Sequence, residues 1–212
     1  MEAPVTMTSN KYRNSVLFLR NGFPFEGKWG FPVIMPQAIE TRDIQLISYS
    51  DTSTRDTKNN QKGVHFFIDD YRFESLYSHP DLSLSRLSKY AFLLTPDFSQ
   101  YAEMPLWRQI ESTGKSRWVG AYWQSKGLKV IPTVTWGLAQ TFEFCFDALP
   151  KESIVAVGMI GCRRSRLNFL RGYHAMLEKL SPITVIVFGK PFPEMDGHIV
   201  AVDYMTSRRE NS

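Results

Sequence analysis

The 212-residue chain has only two cysteines, Cys145 and Cys162. Neither belongs to a CxxC pair or a Cys/His cluster, which excludes the usual structural zinc patterns. Two lone thiols in such a chain read as reduced cysteines of a cytoplasmic protein. The sequence also lacks long apolar runs, and none approaches the ~20 residues a spanning helix needs. The opening residues MEAPVTMTSNKYRN lack the charged-then-apolar pattern of a signal peptide. The expectation is therefore a cytoplasmic protein with no membrane partner. No internal repeat or low-complexity segment is present. No Walker loop, GxGxxG, GxSxG, HExxH or EF-hand pattern occurs, so no motif assigns a reaction. The four histidines, His65, His79, His174 and His198, show no pairing with cysteine that would suggest a thiol catalyst.

What remains is an ordinary globular composition, with 43% hydrophobic and 22% charged residues. A domain of this length buries roughly 70% of its unfolded surface and needs no staple. The aromatic share, 14%, is high. The net charge of +4 mildly favours anionic partners. Much of that excess sits in Arg163, Arg164, Arg166 and Arg171 and in the tail residues Arg208 and Arg209.

Residues 1–43 read as an irregular N-terminal segment, in which WGFPVIMP packs in extended form on the body. Residues 44–205 read as one α/β domain, and 206–212 as a disordered tail. Strands are expected at 44–49, 64–68, 91–94, 129–135, 153–159, 183–188 and 199–204. Pro132 inside the fourth implies an edge position or a bulge, since proline lacks a ladder donor. Residues 50–63 are polar and turn-prone, and read as an exposed loop. The clearest helix is 166–180, where Leu167, Leu170, Tyr173, Met176, Leu177 and Leu180 recur at three- and four-residue steps. Residues 104–127 read as two helical stretches broken near Thr113-Gly114, and 137–146 as a further helix. Short apolar strands alternating with helices predict a mostly parallel sheet of six or seven strands. It would be doubly wound or an incomplete β/α barrel. Polar groups at nearly every strand end favour the barrel-like arrangement.

In both arrangements sites form at the carboxyl ends of the strands. There the sequence places Asp69, Asp70 and Arg72, then Asp97, Ser99 and Tyr101, then Trp136 and Glu143, then Gly161-Cys162-Arg163-Arg164, and finally Lys190. Asp69, Asp70 and Asp97 suit Mg²⁺ or Mn²⁺ through oxygen. Asp69, Asp97 and Glu143 suit acid–base work. Each aspartate also suits an N-cap. Side-chain alternation sends Asp69 and Asp70 to opposite faces, with Asp69 facing the cleft and Asp70 capping the stretch from Tyr71. Arg163, Arg164 and Lys190 suit phosphate, and the strand–Gly–Cys–Arg–Arg–Ser–helix order offers backbone donors beside them. Arg72, Tyr101 and Trp136 complete the substrate-binding set. His65, alternating with Phe66 and Phe67, reads as a core histidine. Trp107, Trp118, Tyr122 and Trp123 read as core more readily than as stacking rings.

The stretches VHFFIDDYRFE (64–74), TPDFSQYAEMP (95–105), RWVGAYWQSKGLKVIPTVTW (117–136), FEFCFDALPKESIVAVGMIG (142–161) and SPITVIVFGK (181–190) resemble an uncharacterised family of unknown function. It is found in bacteriophages, plasmids and their bacterial hosts. The resemblance covers roughly residues 30–190. It implies a mobile-element origin and no reaction. GCRR stands here where the resemblance leads one to expect a more neutral turn. Two functional readings follow. The first is an enzyme acting on, or a protein binding, a phosphate-bearing substrate such as a nucleotide or nucleic acid. The second is a non-catalytic phage factor that binds a host protein. A carbohydrate-active site built on two carboxylates is a third reading. A concave rim would favour the first and a flat one the second.

Overall fold

The computed structural model describes residues 8–10 and 22–204. The expected tail, 206–212, and much of the N-terminal segment lie outside the described residues. A short antiparallel hairpin, β1 (Phe25–Glu26) and β2 (Phe31–Pro32), opens the body and has no counterpart in the expected elements. Seven strands then follow: β3 (Leu46–Ser48), β4 (Gly63–His65), β5 (Phe92–Leu94), β6 (Val130–Ile131), β7 (Ile154–Gly158), β8 (Thr184–Phe188) and β9 (Ile199–Val202). Every neighbouring pair among them is parallel, in strict chain order.

The expected single sheet is two sheets, β3-β4-β5-β6 and β7-β8-β9. They meet at one parallel bridge, Thr133 with Ala156. Pro132 explains where the change occurs. On its β5 side β6 exchanges Thr95 N to Ile131 O at 3.0 Å. On the other side Ala156 N donates to Pro132 O and Val134 N to Ala156 O, both at 2.8 Å. The missing proline N–H thus falls on the β7 side, where that ladder begins. Thr133 N donates instead to Thr95 Oγ1 at 2.9 Å, which continues the β5 side through a side chain.

Side-chain alternation sends one face of both sheets into a shared core. Leu46, Phe92, Leu94, Ile131, Ile154, Ala156, Ile186, Phe188 and Val202 form one buried cluster with Phe67. Each fully buried aliphatic or phenyl side chain there contributes roughly 1.5–3 kcal/mol. The opposite faces, with Val155, Val157, Val185 and Val187, pack under helices. No strand pairing closes β9 back onto β3 among the described residues.

Among the described residues, α-helices lie in three of the crossovers: α1 (Ser75–Ser78) and α2 (Leu84–Leu87) between β4 and β5, α3 (Leu106–Ser125) between β5 and β6, and α4 (Arg166–Leu180) between β7 and β8. The bounds of α4 are those its periodicity predicts. In contrast, α3 runs unbroken through Thr113-Gly114. Thr113 Oγ1 bonds back to Gln109 O at 3.1 Å, and Gly114 packs beside the Phe31 ring, where a Cβ would make an ordinary contact of 3.5 Å. Trp118, Tyr122 and Trp123 on this helix are core, whereas Trp107, also expected there, is exposed on its first turn. Residues 139–143 form a short 3-10 turn and not the expected longer helix.

The loop 50–63 is not simply exposed. Asp56 is buried and accepts from Lys58 N, Asn59 N, Asn59 Nδ2 and the Tyr90 hydroxyl, at 3.0–3.1 Å. Burial raises its carboxyl pKa, but these four donors more than offset that, leaving it below the usual carboxylate range. The polar residues that suggested solvent are hydrogen-bonding one another. Among the described residues no helix is long and apolar enough to cross a membrane.

Candidate functional site

A concave cleft of about 820 Å³ opens at the carboxyl ends of the parallel strands. Its walls come from the segments that follow β3, β4, β5, β6 and β7. Of the expected site residues, Asp69, Arg72, Asp97, Tyr101 and Trp136 line it. Arg163, Arg164 and Lys190 are exposed and stand outside the lining, although Gly161, Cys162 and Ser165 of the same turn belong to it. Glu143 is exposed and also outside the lining.

Asp97 follows β5 and is half-buried, with protein packed closely round its carboxyl. The Thr135 hydroxyl donates to its Oδ1. Burial pushes the Asp97 carboxyl up to about 7, the Thr135 bond opposes that, and the charge of Asp70 adds to it. Cys162, on the loop after β7, lines the same cleft. Burial first, and the Asp97 charge second, push its thiol up to about 11, so it is a protonated thiol and not a nucleophile at neutral pH.

Asp69 and Asp70 take different directions, but not the roles alternation suggests in full. Asp69 is exposed in the cleft, 3.9 Å from Arg72, and occupies the N-cap position of a 3-10 turn without a side-chain cap bond. Asp70 does not cap the stretch from Tyr71. It reaches across to the loop after β5, accepting from Ser99 N at 3.0 Å and Ser99 Oγ at 2.8 Å. Ser99 Oγ also stands 3.0 Å from the Tyr101 hydroxyl. Asp70 thus fixes the loop that carries Asp97. Among the described residues no three His, Cys, Asp or Glu side chains gather as a metal-holding group.

Several lining residues escaped the sequence reading. Gln100 is buried, donating to Thr113 Oγ1 at 3.1 Å and Thr135 O at 3.3 Å, and so braces the residue that holds Asp97. Glu103 adds a third carboxylate to the wall, and Asn168, at the start of α4, donates to Gly137 O at 3.0 Å. The signal for Gln100 and Glu103 was their place in the loop after a strand, the same signal that singled out Tyr101. Phe67 lines the cleft with its ring stacked 5.1 Å from Phe188. His65 lies beneath, 2% exposed, its Nδ1 accepting from Phe67 N at 3.2 Å, and burial depresses its pKa to about 3. It is a neutral core group.

Residues 23–205 match a family described as a domain of unknown function (DUF4417). The chain belongs to that family. Its relatives include the Gene 1 protein of Mycobacterium phage L5, 36% identical over 179 residues, which cover 82% of this chain and 77% of that protein. The Gene 1 protein of Mycobacterium phage D29 is 35% identical over 179 residues, covering 82% of this chain and 66% of that protein. The family is thus phage-associated, in keeping with the origin the resemblance implied. No solved structure matches the chain. The family description carries no reaction, so the cleft's own chemistry has to supply one.

Proposed function

We propose that the protein binds a nucleotide-class ligand in this cleft and that Asp97 exchanges a proton with it. The observation that carries the reading is a half-buried carboxyl, brought to about 7, on the wall of a concave cleft at the strand carboxyl ends. The strict order of seven parallel strands around one apolar core supports reading the fold as an incomplete β/α barrel, whose sites lie at that mouth. A cleft of this volume falls in the range of small-molecule and cofactor sites. Concavity favours a ligand of this size over a flat docking face for a host protein.

An ordinary carboxyl is fully ionised at neutral pH and a poor acid. Near 7 both forms are populated, which suits a group that gives and takes a proton. Thr135 orients the carboxyl, and Gln100 and Asp70 brace the two loops that bring it there. Phe67, Tyr101 and Trp136 offer ring faces to a base. The lining carries three carboxylates, Asp69, Asp97 and Glu103, and one cation with them, Arg72. Such a wall repels phosphate. The phosphate therefore lies at the mouth, on the Gly161–Ser165 turn with Arg163 and Arg164, and with Lys190 after the neighbouring strand. The carboxylates face the N–H donors of the base.

Mg²⁺ or Mn²⁺ held by Asp69, Asp70 and Asp97 together fits this site poorly. Asp70 spends its oxygens on Ser99, and the three do not form a metal-holding group. No step is routed through a metal.

Thermal melts with each nucleoside monophosphate test the reading. Saturating ligand should raise the melting temperature by roughly 5 °C. The Arg163→Ala/Arg164→Ala double variant should lose most of that shift, as should wild type in high salt. Asp97→Asn should flatten the pH dependence of binding between about 6 and 8. An unchanged shift in the double variant would sink the phosphate assignment.

A further inference from the structure

We infer that the base taken by the cleft is guanine, whose N1–H and 2-amino group donate together to the carboxylate oxygens of Asp97. This rests on the nucleotide reading of the cleft and names the base that the carboxyl selects.

Asp97 is a carboxyl short of donors. It lines the cleft and has lost most of its water to the protein packed round it. Among the described residues one hydroxyl, that of Thr135, donates to it, at Oδ1. An ionised carboxylate has room for about four such bonds. The deficit is why burial prevails and brings the carboxyl to about 7. A ligand that supplies donors restores what burial removed.

The protein's own donors round Asp97 are spent elsewhere. Ser99 directs its N–H and hydroxyl to Asp70, at 3.0 and 2.8 Å. Gln100 Nε2 bonds Thr113 Oγ1 and Thr135 O. Cys162 Sγ lies 3.5 Å from Gly158 O, and Asn168 Nδ2 donates to Gly137 O at 3.0 Å. What is left over is acceptors. Gln100 is 9% exposed, and its Oε1 has no hydrogen-bond partner. Asp69 and Glu103 add two more carboxylates to the lining, against the single cation Arg72. A ligand seated on this lining has to bring N–H groups rather than carbonyl oxygens.

The bases differ in what they bring. On its pairing edge guanine carries two adjacent donors, N1–H and the 2-amino group. Two parallel N–H groups suit the two oxygens of one carboxylate, as a guanidinium does. Adenine and cytosine set a ring-nitrogen acceptor beside their amino donor. Uracil and thymine flank one N–H with two carbonyls. Each of these turns a lone pair toward an ionised carboxylate, which costs a buried acceptor its partner. Adenine and cytosine fit the protonated carboxyl instead, but they leave the other acceptors of the lining with fewer donors. The cleft, at about 820 Å³, has room for a purine nucleotide, and Phe67 and Trp136 on its wall offer ring faces to a purine.

Calorimetric titrations with GMP, IMP, XMP, AMP, CMP and UMP test the assignment. At about pH 8 GMP should bind wild type at least ~100-fold more tightly than AMP, CMP or UMP. IMP keeps N1–H but lacks the amino group, and should bind ~10-fold more weakly than GMP. GMP binding should weaken about 10-fold from pH 8 to pH 6, as Asp97 takes up its proton. Asp97→Asn keeps the shape and replaces one oxygen with a donor. The variant should lose GMP and gain XMP, which carries a carbonyl where guanine has its amino group. A gained ligand also verifies the fold of the variant. Guanine preference that survives Asp97→Asn overturns the inference, as does a folded variant that gains no XMP. So does AMP or CMP binding tightest below about pH 7. Equal binding of all the monophosphates overturns it and leaves the nucleotide reading standing. Binding of none of them overturns both.

Discussion

Asp97 carries the most consequence of any single side chain. A carboxyl raised by burial binds its proton in the folded state at pH values where the unfolded chain has released it. Its contribution to stability is therefore lost as pH rises from about 4 to about 7. Asp97→Asn removes the ionisation while keeping the shape. At pH 8 the variant should be more stable than wild type by about 2–4 kcal/mol, and at pH 4 the two should differ little. Denaturant titrations at both pH values check this, and equal stability at pH 8 would show that the carboxyl is not held up. This strand-end position was legible in the sequence, where Thr95-Pro96-Asp97 closes an apolar run. The raised pKa was not. It needs burial by distant segments and the charge of Asp70, 27 residues away, which together outweigh the bond from Thr135, 38 residues away.

Among the elements, α4 lends Asn168 and Phe169 to the cleft wall. Its bounds follow from apolar spacing alone, but its role depends on a glycine within it. A Cβ on Gly172 would meet Trp136 Nε1 at 2.1 Å. Trp136 is part of the cleft wall and packs on Phe169 of the same helix at 5.2 Å. In an exposed helix Gly→Ala stabilises by roughly 1 kcal/mol. Here Gly172→Ala should instead destabilise by about 1–3 kcal/mol and displace the indole. Chemical denaturation with tryptophan fluorescence measures both effects. A stabilised variant with unchanged fluorescence would mean the indole yields freely. The hydrophobic pattern could not anticipate this, since a glycine inside a helix leaves no mark of which neighbour needs the space. Gly114, which suggested a helix break, is different, since a Cβ there would meet Phe31 only at an ordinary 3.5 Å contact and the helix simply runs through it.

At the scale of the whole molecule, His65 and Asp97 set opposing pH slopes. His65 is held neutral by burial, with its pKa depressed to about 3 against about 6.5 unfolded. The unfolded chain binds that proton first, so this contribution falls as pH drops below about 6.5. Asp97 gains over nearly the same interval. Stability of the wild type should thus change little between about pH 4.5 and 6.5. His65→Gln should expose the Asp97 slope and melt higher at pH 5 than at pH 7.5. A steep acid loss in wild type, or an unaltered profile in His65→Gln, would contradict the balance.

The sequence by itself determined the α/β class, a mostly parallel arrangement of six or seven strands, the position of α4, the core histidine and the rim on which a site would lie. These depend on local periodicity and on turn residues, which act over a few positions. Tertiary structure alone decided the rest. It divided the strands into two sheets at Pro132, because only a folded ladder shows which side loses the donor. It turned Asp70 away from its own segment to Ser99, because a partner 29 residues distant competes with a local cap. It left Arg163, Arg164, Lys190 and Glu143 outside the lining and brought Gln100, Glu103 and Phe67 into it. A residue's place after a strand says that it is near the mouth. Which way its side chain turns there depends on contacts made by residues far apart in the chain, and those exist only once the core has packed.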